Sequence, residues 1–209
     1  MKNAVTFIAI FLALGAATGS KPADVPAVAE TKGPQFTVPA GLKTGDLVFR
    51  KGKGLISTMF GMTSAAPEQF SHVGMVAVEK EGTFVYHMIG NTVPAKGGCK
   101  RESLESFCNP NQNSRISFYR LTILEKCQHS IKEQLQAVYA SGIQFDEKFE
   151  LSDSGPLYCS ELIYNLVKKS SHIALPLSYH RHAPYVSLDN LYNNSFAIKL
   201  TDINYSKTK

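Results

Sequence analysis

The chain has 209 residues, of which 44% are hydrophobic and 19% charged, and its formal net charge is +5. This hydrophobic fraction excludes a disordered chain, and 15 Gly and 10 Pro exclude a collagen-like or linker-like sequence. The length suits one domain with a substantial core, and so mild a charge does not indicate a nucleic-acid-binding protein. Four cysteines are too few for a disulfide scaffold.

The N-terminus has the pattern of a secretory signal peptide. A lysine at position 2 precedes an uncharged apolar run over residues 4–17, and small residues follow. The run is shorter than the roughly 20 apolar residues of a membrane span, so a transmembrane anchor is the less favoured alternative. We expect a signal peptide over residues 1–17 and export of the chain to the periplasm or medium, with no transmembrane segment in the mature protein. Residues 18–40 are expected to be an extended leader, and residues 41–209 the folded domain.

The predicted elements of the domain begin with strands. Period-two apolar patterns and turn residues predict strands at residues 45–50, 72–78, 83–89 and 115–121, with a last strand at 196–200. A short helix at residues 54–62 and a loop at 63–69 are expected after the first strand. The second and third strands are separated by a four-residue turn typical of a hairpin.

Two longer helices are predicted after the strands. One runs from about residue 125 to 140, with Thr122 and Glu125 spaced as a capping box. The other begins near Tyr158 and carries one apolar stripe, Leu162, Ile163, Leu166 and Val167. A block of strands followed by helices predicts the α+β class.

Cys159 is the strongest candidate nucleophile on chemical grounds. It follows a Gly-Pro loop and falls in the first turn of the second helix. The unpaired amides and positive dipole end of a helix N-terminus stabilise a thiolate and can bind an oxyanion. From spacing alone, a buried structural cysteine is the commoner alternative.

His72 and His87 lie on the two strands of the predicted hairpin. His72 opens a strand that is apolar on both faces, so this strand is expected to be central. An even hairpin loop would place both histidines on one face as diagonal neighbours, and an odd loop on opposite faces. On one face, His87 could fix the ring of His72 while His72 activates Cys159.

The remaining histidines and cysteines give weaker signals. No metal-ligand spacing and no cofactor motif are present, so loop or surface roles are favoured for His129, His172, His180 and His182. Cys99 and Cys108 could pair in an oxidising compartment, and Cys127 has no assigned role.

Three segments together resemble the permuted papain-like cysteine hydrolases of the NlpC-type superfamily, in particular its YiiX/YaeF-like branch. They are GDLVF at residues 45–49, SHVGMV at 71–76 and LYCSEL at 157–162. The histidine strand precedes the cysteine helix, as in the permuted branch and unlike ordinary papain-like enzymes. The resemblance spans about residues 41–169. It implies an antiparallel sheet packed against helices, with the nucleophile at a helix N-terminus.

The resemblance implies site residues as well. Cys159 would be the nucleophile, His72 the general base, and His87 would take the orienting position, where many YiiX-like relatives carry a glutamate. A histidine there resembles the Cys-His-His arrangement of lecithin:retinol acyltransferase-like relatives. Asp46 matches a motif acid, but a Gly-Asp turn has a sufficient structural role.

Three functions fit these expectations. The leading one is an exported cysteine hydrolase that cleaves peptide amides of the cell wall through an acyl-enzyme. The second is a lipid acyl hydrolase or acyltransferase, for which Ile56, Met59, Phe60 and Met62 could line an acyl groove. The third is a degenerate domain that binds wall fragments or a partner protein.

Overall fold

The computed structural model describes residues 36–53, 70–91, 96–152 and 154–207. The expected signal peptide, most of the leader, and the segments at 54–62 and 63–69 with their groove residues lie outside the described residues. The described residues form eight strands: β1 (Leu47–Gly52), β2 (His72–Glu79), β3 (Gly82–Ile89), β4 (Gly98–Ser103), β5 (Asn113–Leu121), β6 (Ser178–His180), β7 (Ala183–Tyr185) and β8 (Ala197–Asn204). Their α-helices are α1 (Leu104–Phe107), α2 (Gln128–Ser141), α3 (Cys159–Ser171) and α4 (Leu188–Tyr192).

Six strands form one antiparallel sheet in the order β4-β3-β2-β1-β5-β8, and β6 and β7 pair separately. β2 is interior, as its apolar run predicts, and residues 73–77 are buried. The predicted α+β class is confirmed. Among the described helices, none has the length and hydropathy needed to cross a membrane.

The sheet has a hydrophobic cluster on each face. The larger one contains alternate residues of β2 packed against α2, α3 and α4. The smaller one contains Val48, Val76 and Val85 with Leu104 and Phe107 of α1. Because side chains alternate across a strand, the even-numbered residues of β2 belong to the α1 face and the odd-numbered ones to the α3 face.

The register of the β2–β3 hairpin is that of an even loop. Glu79 pairs with Gly82, and continuing this pairing sets Gly74 opposite His87. A β-carbon on Gly74 would lie 3.2 Å from Cβ of His87, which fits the same pairing. His72 therefore shares a sheet face with His87, as this register predicts.

Both long helices are present, but the first starts differently from the prediction. Residues 122–124 form a short 3-10 helix, and α2 begins at Gln128 with Cys127 as its N-cap and no side-chain capping bond. The expected capping box of Thr122 and Glu125 is therefore wrong, because the chain turns before the helix starts. In α3 the predicted apolar stripe is buried, and Cys159 is the first helical residue. The last strand, β8, runs further than the predicted 196–200.

Asp46 has a structural role before β1. Its carboxylate accepts two hydrogen bonds from Arg120, both at 2.7 Å, and a third from the Lys43 amide at 2.7 Å. Asp46 is 1% exposed, so the ion pair compensates a buried charge and joins the Gly-Asp turn to β5. This agrees with the structural role predicted for the motif acid.

Candidate active site

The two strand histidines are in direct contact. Nε2 of His72 lies 2.8 Å from Nδ1 of His87, and their ring centroids are 4.9 Å apart at an interplanar angle of 81°. Phe107 of α1 packs against both rings, with centroids 5.9 Å from His72 and 5.0 Å from His87. The hairpin register and this aromatic contact together fix both imidazoles on the α1 face of the sheet.

The thiol of Cys159 lies where β2 and β3 separate. Val76 uses both its amide and its carbonyl to bond the chain leading into β1. Because the backbone groups of successive residues alternate in direction along a strand, the amides of Met75 and Val73 point the other way, toward β3. The β2–β3 pairing ends at Met75, and the next such amide, that of Val73, donates to the Cys159 sulfur. The nucleophile candidate belongs to the α3-side cluster and reaches β2 at Val73, the residue after His72, whose ring lies on the α1 face.

The helix N-terminus surrounds the thiol with amides, but burial has the larger effect. Burial raises the pKa of Cys159 to about 11, although the amides of Val73, Ser160 and Cys159 itself and the charge of Arg50 act to lower it. The amides thus stabilise the thiolate as expected, but the cost of burying its charge is larger. At neutral pH the free site therefore holds a neutral thiol, which needs a base to react.

The histidines are neutral at the same pH. Burial lowers the pKa of His72 well below its usual 6.5, and the charges of Arg50 and His87 act in the same direction. Burial also lowers the pKa of His87, against the opposing effect of Glu102. A neutral imidazole is the form that accepts a proton.

Glu102, on β4, extends the pair to a third group that the sequence did not indicate. Its Oε1 lies 2.9 Å from Nε2 of His87, which is hydrogen-bonding distance although the N–H is not well aligned with the oxygen. Burial alone would raise the pKa of Glu102, but its close contacts with His87 and with Ser106 bring it to about 2. Glu102 is therefore ionised throughout the neutral range.

This carboxylate sets the tautomers of both rings. A negative charge beside Nε2 of His87 favours the proton on that nitrogen, which leaves Nδ1 of His87 as an acceptor. Nε2–H of His72 then donates to it. Nδ1 of His72 is left unprotonated, which is the state that a general base requires. In the described part of the chain this ring and the Cys159 thiol share no hydrogen bond, and such contacts commonly tighten only when substrate binds.

Arg50 is a second group found only in the structure. It pairs with His72 across β1 and β2, lies over the Phe107 ring at 4.3 Å, and places Nη1 3.9 Å from Glu102 Oε1. Its charge acts on the pKa values of both histidines and of Cys159. β4 was not predicted because its Lys-Arg-Glu sequence lacks an apolar face, and Arg50 gave no signal in the sequence beyond its place near a strand end.

The other predicted candidates lie away from this cluster. His129 is on α2, 3.2 Å from Glu133, His172 ends α3, and His180 and His182 belong to the β6–β7 hairpin. Among the described residues, no three His, Cys, Asp or Glu side chains are grouped to hold a metal ion.

Cys99 and Cys108 are free thiols on opposite faces of the sheet. Cys99 pairs with Met88 and packs against the α3-side cluster, whereas Cys108 belongs to the α1-side cluster. The disulfide considered between them is therefore not formed, because the sheet separates them. Cys127 bonds the carbonyl of Ser170 through its thiol at 3.4 Å.

Comparisons with known proteins identify the family and the fold. Residues 41–184 match the family model described as permuted papain-like amidase enzyme, YaeF/YiiX, C92 family. The solved structure of the metalloprotein YiiX from Escherichia coli O157:H7 superposes with a TM-score of 0.60 at 14% identity, over 77% of this chain and 97% of that one. At this identity the likeness concerns the fold alone. Comparison with curated proteins finds no match. From the family match, the chain belongs to the permuted papain-like amidases of the YaeF/YiiX type, which are cysteine hydrolases.

Proposed function

We propose that this amidase is exported and cleaves peptide amide bonds of the cell wall, with Cys159 as nucleophile, His72 as general base and His87 as the residue that orients it. The observation that carries the proposal is the bond between Nε2 of His72 and Nδ1 of His87 at 2.8 Å, together with the amide of Val73, the residue after His72, which donates to the Cys159 sulfur. Glu102 acts through His87 as a further positioning residue.

Acylation begins with the neutral pair. Nδ1 of His72 takes the thiol proton as the Cys159 sulfur attacks the amide carbonyl carbon, because a thiol with a pKa of about 11 is rarely ionised at neutral pH. The carbonyl oxygen becomes an oxyanion, which the backbone amide of Cys159 at the start of α3 can bind. His72 then gives its proton to the departing amine, and a thioester remains on Cys159.

Deacylation repeats the proton transfers with water. His72 takes a proton from the water as its oxygen attacks the thioester carbonyl. The carbon–sulfur bond breaks, the proton returns to the sulfur, and the carboxylic acid leaves. In both steps His72 carries a positive charge transiently, and Glu102, two contacts away, stabilises it. Arg50 destabilises the positive charge on His72 and stabilises the negative charge on the sulfur and the oxyanion. Glu102 and Arg50 therefore favour opposite charges in the site.

The choice of a wall peptide rests on the N-terminus and the charge. The apolar run at residues 4–17 supports export, and without residues 1–17, which hold one lysine and no acid, the net charge falls from +5 to +4, which suits an anionic wall polymer. Cell fractionation and N-terminal sequencing of the exported protein test the first point. A mature chain beginning at residue 18 is expected, and retention in the cytoplasm would contradict export.

Peptidoglycan digestion tests the activity. Wild type, Cys159→Ala and Cys127→Ala are incubated with purified peptidoglycan, and released fragments are identified by mass spectrometry. Cys127→Ala is the matched control, since it removes a thiol that lies between α2 and the end of α3. Release by wild type and Cys127→Ala, and none by Cys159→Ala, is expected. Equal release by all three proteins would refute the nucleophile, and release of fatty acids from lipids instead would refute the wall substrate.

A further inference from the structure

A groove of about 440 Å³ lies between the segment before α3 and the β6–β7 hairpin. Its apolar lining residues are Phe149, Leu151, Ala183, Pro184 and Tyr185. Three exposed polar side chains, those of Lys148, Glu150 and His180, complete it. The lysine and the glutamate carry opposite charges, so the groove offers no net attraction to a charged ligand.

Both walls of this groove contact Tyr158 or Ser160, the residues directly before and after Cys159. On one side, the ring of Phe149 packs 5.3 Å from that of Tyr158, the residue before Cys159. On the other side, Val186 follows directly after Tyr185. Its amide donates to the Tyr158 hydroxyl at 2.8 Å, and its carbonyl accepts from the hydroxyl of Ser160, the residue after Cys159, at 2.7 Å. The groove is thus attached to the start of α3 at both sides.

The backbone at Phe149 is held in a costly conformation. Its φ is +58°, in the left-handed region, where a residue other than glycine is strained. Asp146 maintains this turn, since its carboxylate accepts the amides of Lys148 at 2.9 Å and Glu150 at 2.8 Å. The result is an aromatic side chain that lines the groove and contacts Tyr158.

We propose that this groove binds an apolar side chain on the acyl part of the substrate amide, so that the enzyme prefers acyl residues that are aliphatic or aromatic. This rests on the proposed acyl-enzyme at Cys159, and not on the source of the substrate. The acyl part stays bonded to the sulfur after the amine leaves, and the groove adjoins the neighbours of Cys159 in the chain. A charged side chain would lose hydration against Phe149 and Leu151, and the opposite charges of Lys148 and Glu150 offer it no net attraction.

Ala183 and Ala137 provide a matched pair of variants for the test. Both alanines are exposed, and Ala137 lines a different groove of about 340 Å³ between α2 and α3. Ala183→Trp fills the proposed site, and Ala137→Trp fills the other one. Hydrolysis of leucyl, phenylalanyl and aspartyl amides of a fluorogenic amine is measured for wild type and both variants, with thermal unfolding as the check on folding.

Wild type is expected to cleave the leucyl and phenylalanyl amides with kcat/KM roughly 10–200-fold above the aspartyl amide. Ala183→Trp should lose about tenfold or more on the apolar amides only, and Ala137→Trp should match wild type. Equal rates for apolar and aspartyl amides, or an unchanged Ala183→Trp, would overturn the groove assignment. Should Ala183→Trp unfold, Ala183→Met replaces it with the same expected direction.

A second probe separates this inference from the proposed function. Leucyl and aspartyl chloromethyl ketones alkylate a thiol by displacing chloride and forming a thioether, with no amide hydrolysis. Faster inactivation by the leucyl reagent, slowed in Ala183→Trp, supports the groove even where no amide is cleaved. Failure to cleave any amide would refute the proposed function, whereas equal alkylation by both reagents would refute the groove.

Discussion

Replacing Glu102 by Gln tests whether its carboxylate supports the histidine pair. The substitution keeps the size of the side chain and removes one negative charge. Glu102 lies 2.9 Å from His87, which lies 2.8 Å from His72, so the carboxylate is roughly 8 Å from the nitrogen of His72 that takes the proton. At an effective dielectric constant of about 20, two unit charges at that distance attract each other by roughly 2 kcal/mol. Loss of this attraction predicts a ~30-fold lower kcat/KM.

The pH profile distinguishes this role from a purely structural one. Glu102 raises the pKa of His87, so removal of the carboxylate should move the acid limb of kcat/KM to lower pH.

The pH dependence of stability gives a second readout. The pKa of Glu102, about 2, lies below the ordinary 4.5, so the contribution of Glu102 to stability is complete above about pH 4.5 and is lost as the pH falls toward 2. Wild type should therefore lose more stability than Glu102→Gln over this acid range.

Amide hydrolysis across pH, with chemical unfolding of each protein, is the assay. Glu105→Gln is the matched control, because it removes the same charge from an exposed position three residues away. It should leave kcat/KM and the acid limb unchanged. If Glu102→Gln kept wild-type kcat/KM and an unmoved acid limb, the tautomer and charge reasoning would be refuted.

Three further predictions concern the thiol, the ion pair and the hairpin. Alkylation of Cys159 by iodoacetamide should accelerate from pH 7 to about 11, because burial raises its pKa to about 11, and a plateau below pH 8 would contradict this. Asp46→Asn should lower the free energy of unfolding by roughly 2–4 kcal/mol by leaving Arg120 without its anion, with kcat/KM unchanged for the folded fraction. In Gly74→Ala the new methyl would lie 2.3 Å from Cγ1 of Val85, so we expect a loss of about 1–3 kcal/mol that Val85→Ala partly restores; no loss would refute the close approach.

The sequence could predict the parts of the site that depend on local pattern. Cys159 was placed at a helix start because a Gly-Pro loop precedes an apolar stripe, and α3 begins at that residue. His72 and His87 were placed on one face if the hairpin loop was even, and the pairing of Glu79 with Gly82 is that register. These inferences use separations of a few residues, over which the backbone geometry is nearly fixed.

The groups that set the charge of the site depended on contacts far apart in the chain. Glu102 reaches His87 only because β4 pairs with β3, and a polar edge strand carries no periodic apolar signal. The pKa of Cys159 was expected to be low at a helix N-terminus, yet burial against the sheet raises it. Desolvation is a property of the assembled core, so a short motif does not contain it.

The sequence by itself determined the class of the fold and the order of histidine strand and cysteine helix, and it made the two histidines a pair on condition that the hairpin loop was even. The tertiary structure decided what surrounds them. It places Arg50 and Glu102 beside the rings, separates Cys99 from Cys108 by a sheet, and opens a groove whose walls contact the residues before and after Cys159. Periodicity records which face a residue takes, whereas the neighbours it meets there follow from strand order and packing.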